Sequence, residues 1–293
     1  VGVAVVTDST ASLPAGLAVE HGLTVVGLDV VLGDERLEEG PDGATPARLV
    51  AALEARRQVS TSRPSPERLV ALWEGLAAAG ADAVVAVHLS GEVSGTVESA
   101  RLAARRLDLP VEVVDSRQVG PATGLAALAA ADAAAGGAGL QDCAEAARRC
   151  AARATTLCYV DTLEHLRRGG RIGPAAALLG GALAVKPLLT VTDGRVAPLE
   201  RVRTASRALA RLEELAVEAA LGARDTDGSG ERVRVVVGHL ATPERAVALR
   251  DRLDERLSAA LGDAWGGAWE SEVTAALGAH TGPGMLAVGV APA

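Results

Sequence analysis

The sequence predicts an α/β fold in two domains: an N-terminal, mostly parallel sheet flanked by helices, followed by a C-terminal α+β domain. Three observations predict it. Through the first half, short Val-rich runs alternate with amphipathic segments, as β-α units around a parallel sheet do. Near Ala154 that alternation gives way to a strand, a helix, an Arg-rich glycine turn and then the hairpin signal Asp193-Gly194. Finally, 293 residues, 49% of them hydrophobic and 23% charged, are long for one domain and supply a sizeable core. The domains are placed at 1–153 and 154–293.

The elements follow in order. "VAVVTDST" reads as a buried strand running into a polar loop. "SLPAGLAVEHG" reads as a short helix, with Ser12 near its N-cap, Pro14 in its first turn and Gly22 past its end. "LTVVGLDVVL" is a further apolar strand region. "TSRPSPERLVALWEGLAAAG" gives a polar loop and then a helix with Ser65 as N-cap and Pro66 at the first position. Leu69, Trp73 and Leu76 share one face of it. "ADAVVAVHL" is a buried strand, "SGTVESARLAARRL" a helix and "PVEVVDS" a strand. Two Ala-rich helices lie within 121–153.

In the second domain "TTLCYVDTLEHLRRGGRIG" runs from strand to helix to glycine turn. "KPLLTVTDGRVAPLERV" is a hairpin, and a helix covers about 205–221. The loop "GARDTDGSGE" precedes the strand "RVRVVVGHL" and a helix from Pro243. "SEVTAAL" and "MLAVGV" complete the pattern.

Composition narrows the function. The formal net charge is −8, there is no basic tail, and with no Phe, one Tyr and three Trp the chain lacks stacking surfaces, so nucleic acid is excluded as a main partner. Ala, Leu and Val must build the interior, and any pocket is lined by aliphatic side chains. Lys186 is the only lysine, as a coding bias toward arginine produces. Cys143, Cys150 and Cys158 contain no C-x-x-C pair and fit neither a zinc site nor a disulfide framework; reduced thiols and no metal are expected. The apolar "VGVAVV" is read as part of a strand, and no signal peptide is expected. The longest uncharged apolar run, "PAAALLGGALAV", is too short to span a bilayer. A cytoplasmic protein without a transmembrane segment is expected, with room only for transient membrane contact.

Four polar loops follow strand ends, where open α/β sheets bind ligands: "TDSTAS" (7–12), "STSRPS" (60–65), "HLSGEVSGT" (88–96) and "DSRQVG" (115–120). If they converge, they offer many hydroxyl and backbone N–H donors, reinforced by the start of a helix near Gly95. Taken singly, Ser9, Ser12, Ser65 and Ser94 each read as a helix N-cap, and Asp8 and Asp115 as turn anchors. Recurrence across successive loops favours an anion site. In "GAHTGPGMLAVGV", His280 and Thr281 precede a Gly-Pro-Gly turn between two apolar strands, as site residues or structural hydrogen bonders. "LRRGGRIG" places Arg167 and Arg168 on a helix and Arg171 in a turn, as an exposed basic patch or an anion clamp. There is no G-x-x-x-x-G-K-[ST], H-E-x-x-H or G-x-G-x-x-G, and "GEVSG" has its serine one place too late for a nucleophile elbow.

In this order the segments resemble the DegV family of bacterial fatty-acid-binding proteins. "VVTDSTASLP", "TSRPSP", "LSGEVSGTVESA", "VVDSRQVGPATG", "LEHLRRGGRIG", "VKPLLTVTDGRV" and "HTGPGMLAVGV" carry the likeness over nearly the whole length. The resemblance implies two α/β domains with a long-chain fatty acid at their junction, no catalytic residue and no cofactor. It assigns carboxylate contacts to Thr61, Ser62 and Ser94, loop shape to Gly95 and Thr96, and neighbouring positions to His280 and Thr281. It also implies a separate ATP-dependent fatty acid kinase as partner, faced by Arg171 and Arg203. The chain departs from the family at Arg63, where glutamine is common, and at Val97, where a larger aromatic is usual. The lack of Phe implies a differently shaped tail pocket. Two alternatives stand beside this reading: a serine acyl hydrolase using Ser94 with His280 as base, and a binding protein for another small anion.

Overall fold

Runs of β-branched residues become the strands and Ala-Leu segments the helices in a computed structural model that describes residues 2–178, 186–224 and 231–292. The first half runs β1 (Val3–Asp8), α1 (Ala15–Glu20), β2 (Leu23–Val26), β3 (Asp29–Leu32), β4 (Glu35–Glu38), α2 (Pro46–Glu54) and β5 (Val59–Ser62). It continues with α3 (Pro66–Ala78), β6 (Ala83–His88), α4 (Thr96–Ala104), β7 (Val111–Asp115), α5 (Pro121–Ala135) and α6 (Leu140–Arg153). The second half runs β8 (Thr155–Tyr159), α7 (Glu164–Arg168), β9 (Lys186–Thr192), β10 (Arg195–Val202) and α8 (Ala205–Ala223). It ends with β11 (Val233–His239), α9 (Pro243–Leu261), β12 (Trp265–Glu272), α10 (Ala275–Thr281) and β13 (Leu286–Pro292).

Three sheets result. β2-β1-β6-β7 are all parallel, which matches the alternation of strand and helix in that stretch. β4-β3-β5 form a small antiparallel sheet. The C-terminal domain is built on a mixed sheet, β10-β9-β8-β13-β11-β12, in which β11 and β12 pair parallel and the remaining pairs are antiparallel.

The layers follow from the faces of these strands. Val6, Val84 and Ala86 pack against Leu69 and Trp73 of α3 and Ala100 of α4. On the other face Val5, Val85 and Val87 meet α5 and α6, and the same cluster includes Val236 and Ala291 of the mixed sheet. Helix α5 is buried on nearly every side because a sheet covers it from each direction, and its many alanines suit that close approach. Beyond the mixed sheet, α8 and α9 bury Leu212, Leu249 and Leu253 against Val235 and Val237.

Several local expectations change. The hydroxyl-rich "STSRPS" is not all loop: Val59–Ser62 is β5, because its backbone pairs with β3, Thr61 opposite Val30. "LTVVGLDVVL" is two strands in two sheets, β2 and β3. Ser12 does not cap α1; at φ 48 it ends a short 3-10 turn (Ser9–Ala11) that Asp8 caps, and Pro14 precedes α1 without a side-chain cap. Ser9 lies inside that turn rather than at a helix cap. Gly95, not Ser94, holds the N-cap of α4. His280 and Thr281 end a helix, α10, where a strand was expected. β4 and α2 have no counterpart among the expected elements. Ser65 does cap α3, accepting from the Arg68 N–H at 3.3 Å with Pro66 next to it.

The apolar run 174–185 and the glycine-rich loop 222–231 fall partly outside the described residues. Among the described residues no helix is long and apolar enough to cross a membrane.

Candidate functional site

The parallel sheet delivers its strand ends to one place. β1 ends at Asp8 beside His88 of β6, and His88 stands opposite Asp115 of β7. All four polar loops contribute to one cavity there, of about 860 Å³ counted out to its mouth. "TDSTAS" supplies Thr10, "STSRPS" supplies Thr61, "HLSGEVSGT" supplies Leu89, Val93 and Ser94, and "DSRQVG" supplies Val119 and Gly120. Helix α10 adds Ala276, Leu277, His280 and Thr281. The convergence expected of these loops is therefore the geometry found.

One end of the cavity is polar. Thr61 Oγ1 lies 2.8 Å from His280 Nε2, tying β5 to α10 across 219 residues of sequence. His280 Nδ1 is buried without a partner. Burial, and secondly the Arg171 charge, push the His280 imidazole down to about 4, so the ring is neutral near pH 7. Arg171 stands at the mouth, donating from Nε to the Val93 carbonyl at 3.1 Å and from Nη1 to the Gly169 carbonyl at 2.7 Å. Next to Val93, Ser94 Oγ lies 2.9 Å from Thr96 Oγ1 and accepts from the Thr96 N–H at 3.3 Å. Thr281 Oγ1 donates back to the Leu277 carbonyl at 3.2 Å, so its proton is committed within the helix.

The remainder of the wall is mostly aliphatic, with Leu28, Leu166, Leu189, Val191, Val196 and Met285 prominent, together with Thr10, Thr156 and Thr190. Cys158 belongs to it, and burial pushes its thiol up to about 12, which makes it a wall group rather than a nucleophile. These residues of β8, β9 and β10 were not expected at the site. Their signal was the period-2 alternation in "TTLCYV": Leu157 and Tyr159 face α8 and α9, while Thr156 and Cys158 face the cavity.

Of the residues assigned in advance, Thr61, Ser94, Arg171, His280 and Thr281 line the cavity. Ser62, Gly95 and Thr96 stand behind it: Ser62 Oγ turns to the Arg63 carbonyl at 3.4 Å, and Thr96 is buried under Ser94. Arg63, the departure from the family pattern, reaches from β5 to the start of α4, 3.0 Å from Glu98 and 3.4 Å from the Gly95 carbonyl. Arg203 is exposed just beyond β10 and is not part of the cavity wall. His280 Nε2 pairs with Thr61 Oγ1, and Ser94 Oγ pairs with Thr96 Oγ1. Among the described residues no group of three or more His, Cys, Asp or Glu is placed to hold a metal.

Comparison with known proteins shows the family. The chain matches the model of the family described as "Uncharacterised protein, DegV family" over residues 2–293. A DegV domain-containing protein of Streptomyces coelicolor is 51% identical over 286 residues, 98% of this chain and 97% of that one. A DegV family protein from Thermus thermophilus, described as fatty acid binding, superposes with a TM-score of 0.86 at 31% identity, covering 100% of both chains. DegV from Bacillus subtilis, described as a fatty acid binding protein, gives 0.84 at 31% identity, covering 100% of this chain and 99% of that one.

Proposed function

The chain belongs to the DegV family, and from that membership we propose that it is a non-catalytic carrier. It binds one long-chain fatty acid and presents it to a separate ATP-dependent fatty acid kinase. The observation that carries the reading is an aliphatic cavity whose one polar end gathers Thr61, Ser94, His280 and Arg171. Each buried methylene contributes about 0.8 kcal/mol, so a long tail supplies most of the binding free energy. A carboxylate at the polar end needs donors or it takes up a proton. Hydroxyls of Thr61 and Ser94 serve as those donors, and the Arg171 charge favours the ionised form.

The fatty acid binding of the Thermus and Bacillus proteins supports the ligand class. The kinase follows from the resemblance noted in the sequence: the acid is held with its carboxylate near the mouth, beside Arg171, where a partner can reach it. Arg203, exposed on the same domain, is assigned to the docking surface rather than to the acid.

Mass spectrometry of gently extracted protein tests the proposal. One fatty acid per chain is expected, its amount falling sharply in Ser94→Ala; adding the kinase and ATP should convert the bound acid to an acyl phosphate. Protein that carries no lipid and takes up no added acid overturns the reading.

A further inference from the structure

Two strand-end aspartates stand behind the Ser94 loop without lining the cavity. Asp8 is fully buried and works in two directions. Its Oδ1 accepts from the Thr10 N–H at 3.1 Å and from the Thr10 hydroxyl, both in its own loop. Its Oδ2 accepts from the Leu89 N–H at 3.0 Å and lies 3.0 Å from His88 Nδ1, both on the neighbouring strand's side. A proton on His88 Nδ1 leaves Nε2 as the bare acceptor, and that atom is buried without a partner.

Asp115 repeats the arrangement from β7. Its Oδ1 accepts from the Arg117 N–H at 2.9 Å in its own loop and from the Gly91 N–H at 3.2 Å in the Ser94 loop. The Gln118 carbonyl takes the amide between them, Ser90 N–H, at 2.8 Å. Three consecutive amides, Leu89 to Gly91, are thus each engaged by a neighbouring strand end. A Cβ at Gly91 would lie 2.9 Å from Asp115 Oδ2, so a side chain there would push the Asp115 carboxylate aside.

A turn anchor bonds within its own loop; each of these carboxylates also reaches across to the loop that carries Ser94. Thr10 lines the cavity, yet its hydroxyl proton is committed to Asp8, so it has only lone pairs to show a carboxylate. What Asp8 supplies to the ligand is therefore the placement of another residue. We propose that Asp8 and Asp115 are positioning residues of the fatty-acid site, holding the Ser94 loop from both flanks so that its hydroxyl meets the carboxylate without reorganising. This rests on the fatty-acid reading of the cavity.

The test compares hexadecanoic acid with hexadecan-1-ol, which shares the tail but lacks the carboxylate, in wild type, Asp8→Asn and Asp115→Asn. Asp8→Asn should bind the acid about tenfold more weakly, Asp115→Asn about threefold, with the alcohol unchanged within about twofold. A folded Asp8→Asn that binds the acid like wild type overturns the inference, as does an equal loss of acid and alcohol. Should Asp8→Asn fail to fold, the half-exposed Asp115→Asn decides by the same selectivity. Failure of the wild type to bind the acid at all is a different result and sinks the fatty-acid reading instead.

Discussion

His280 sits between Thr61 and Arg171, and its environment sets a measurable pH dependence. Its folded value of about 4 lies below the ordinary histidine value of about 6.5. Between those two values the unfolded chain binds a proton that the folded chain refuses, so this residue costs stability as pH falls from about 6.5 to about 4. Above that window both states are neutral and the effect vanishes. His280→Gln should therefore gain on wild type by about 2 kcal/mol in unfolding free energy between pH 7 and pH 5. Urea titration at the two pH values checks this, and a constant difference contradicts it. At this scale the sequence was informative about residue type. Scarce histidine beside a rigid turn singled out His280, hydroxyls after strand ends marked the loops that hold Thr61 and Ser94, and the family resemblance picked those two residues within them. In the sequence Asp8 reads only as a turn anchor, because a strand-end aspartate that anchors its own turn and one that reaches the next loop read alike.

Elements with strong local chemistry were legible. Asp193 at φ 52 and Gly194 at φ 78 make the tight turn that the Asp-Gly pair announced between β9 and β10. That turn also packs on the Ser94 loop: a Cβ at Gly194 would run into Ser90 Oγ and come within 3.1 Å of Glu92 Cγ, and Arg195 Nη2 pairs with Glu92 at 2.6 Å. Gly194→Ala therefore meets both a left-handed backbone and a crowded loop. It should lower unfolding free energy by about 1–2 kcal/mol and weaken fatty-acid binding as the Ser94 loop shifts. Unfolding and binding titrations on the one variant check both effects. Elements whose character comes from their neighbours were not legible. β5 has a loop-like composition and is a strand only because β3 offers it a backbone partner. α10 is seven residues long, too short to be marked by periodicity, and Glu39 receives its Ala276 N–H from 237 residues away.

For the whole molecule, the cavity is walled by residues from both halves of the chain, Thr10, Thr61 and Ser94 from the first and Leu189, Val196 and His280 from the second. A ligand that fills it contacts the folded arrangement and nothing comparable in the unfolded chain. At a hundredfold excess over Kd, a long-chain fatty acid should add about 2.7 kcal/mol to the unfolding free energy, read as a rise in melting temperature. Short-chain acids should give progressively less as methylenes are lost. A melting temperature indifferent to chain length contradicts a buried tail. The sequence by itself determined the α/β class, the parallel character of the first sheet and the supply of hydroxyls at its strand ends. Each of these is written in local periodicity and turn chemistry. Only the tertiary structure decided which hydroxyls face the cavity, which protons are already committed to Asp8 or to a helix carbonyl, and which strand faces form the aliphatic wall of the cavity. Those choices depend on hydrogen bonds and packing between residues tens to hundreds of positions apart, for which local pattern carries no signal.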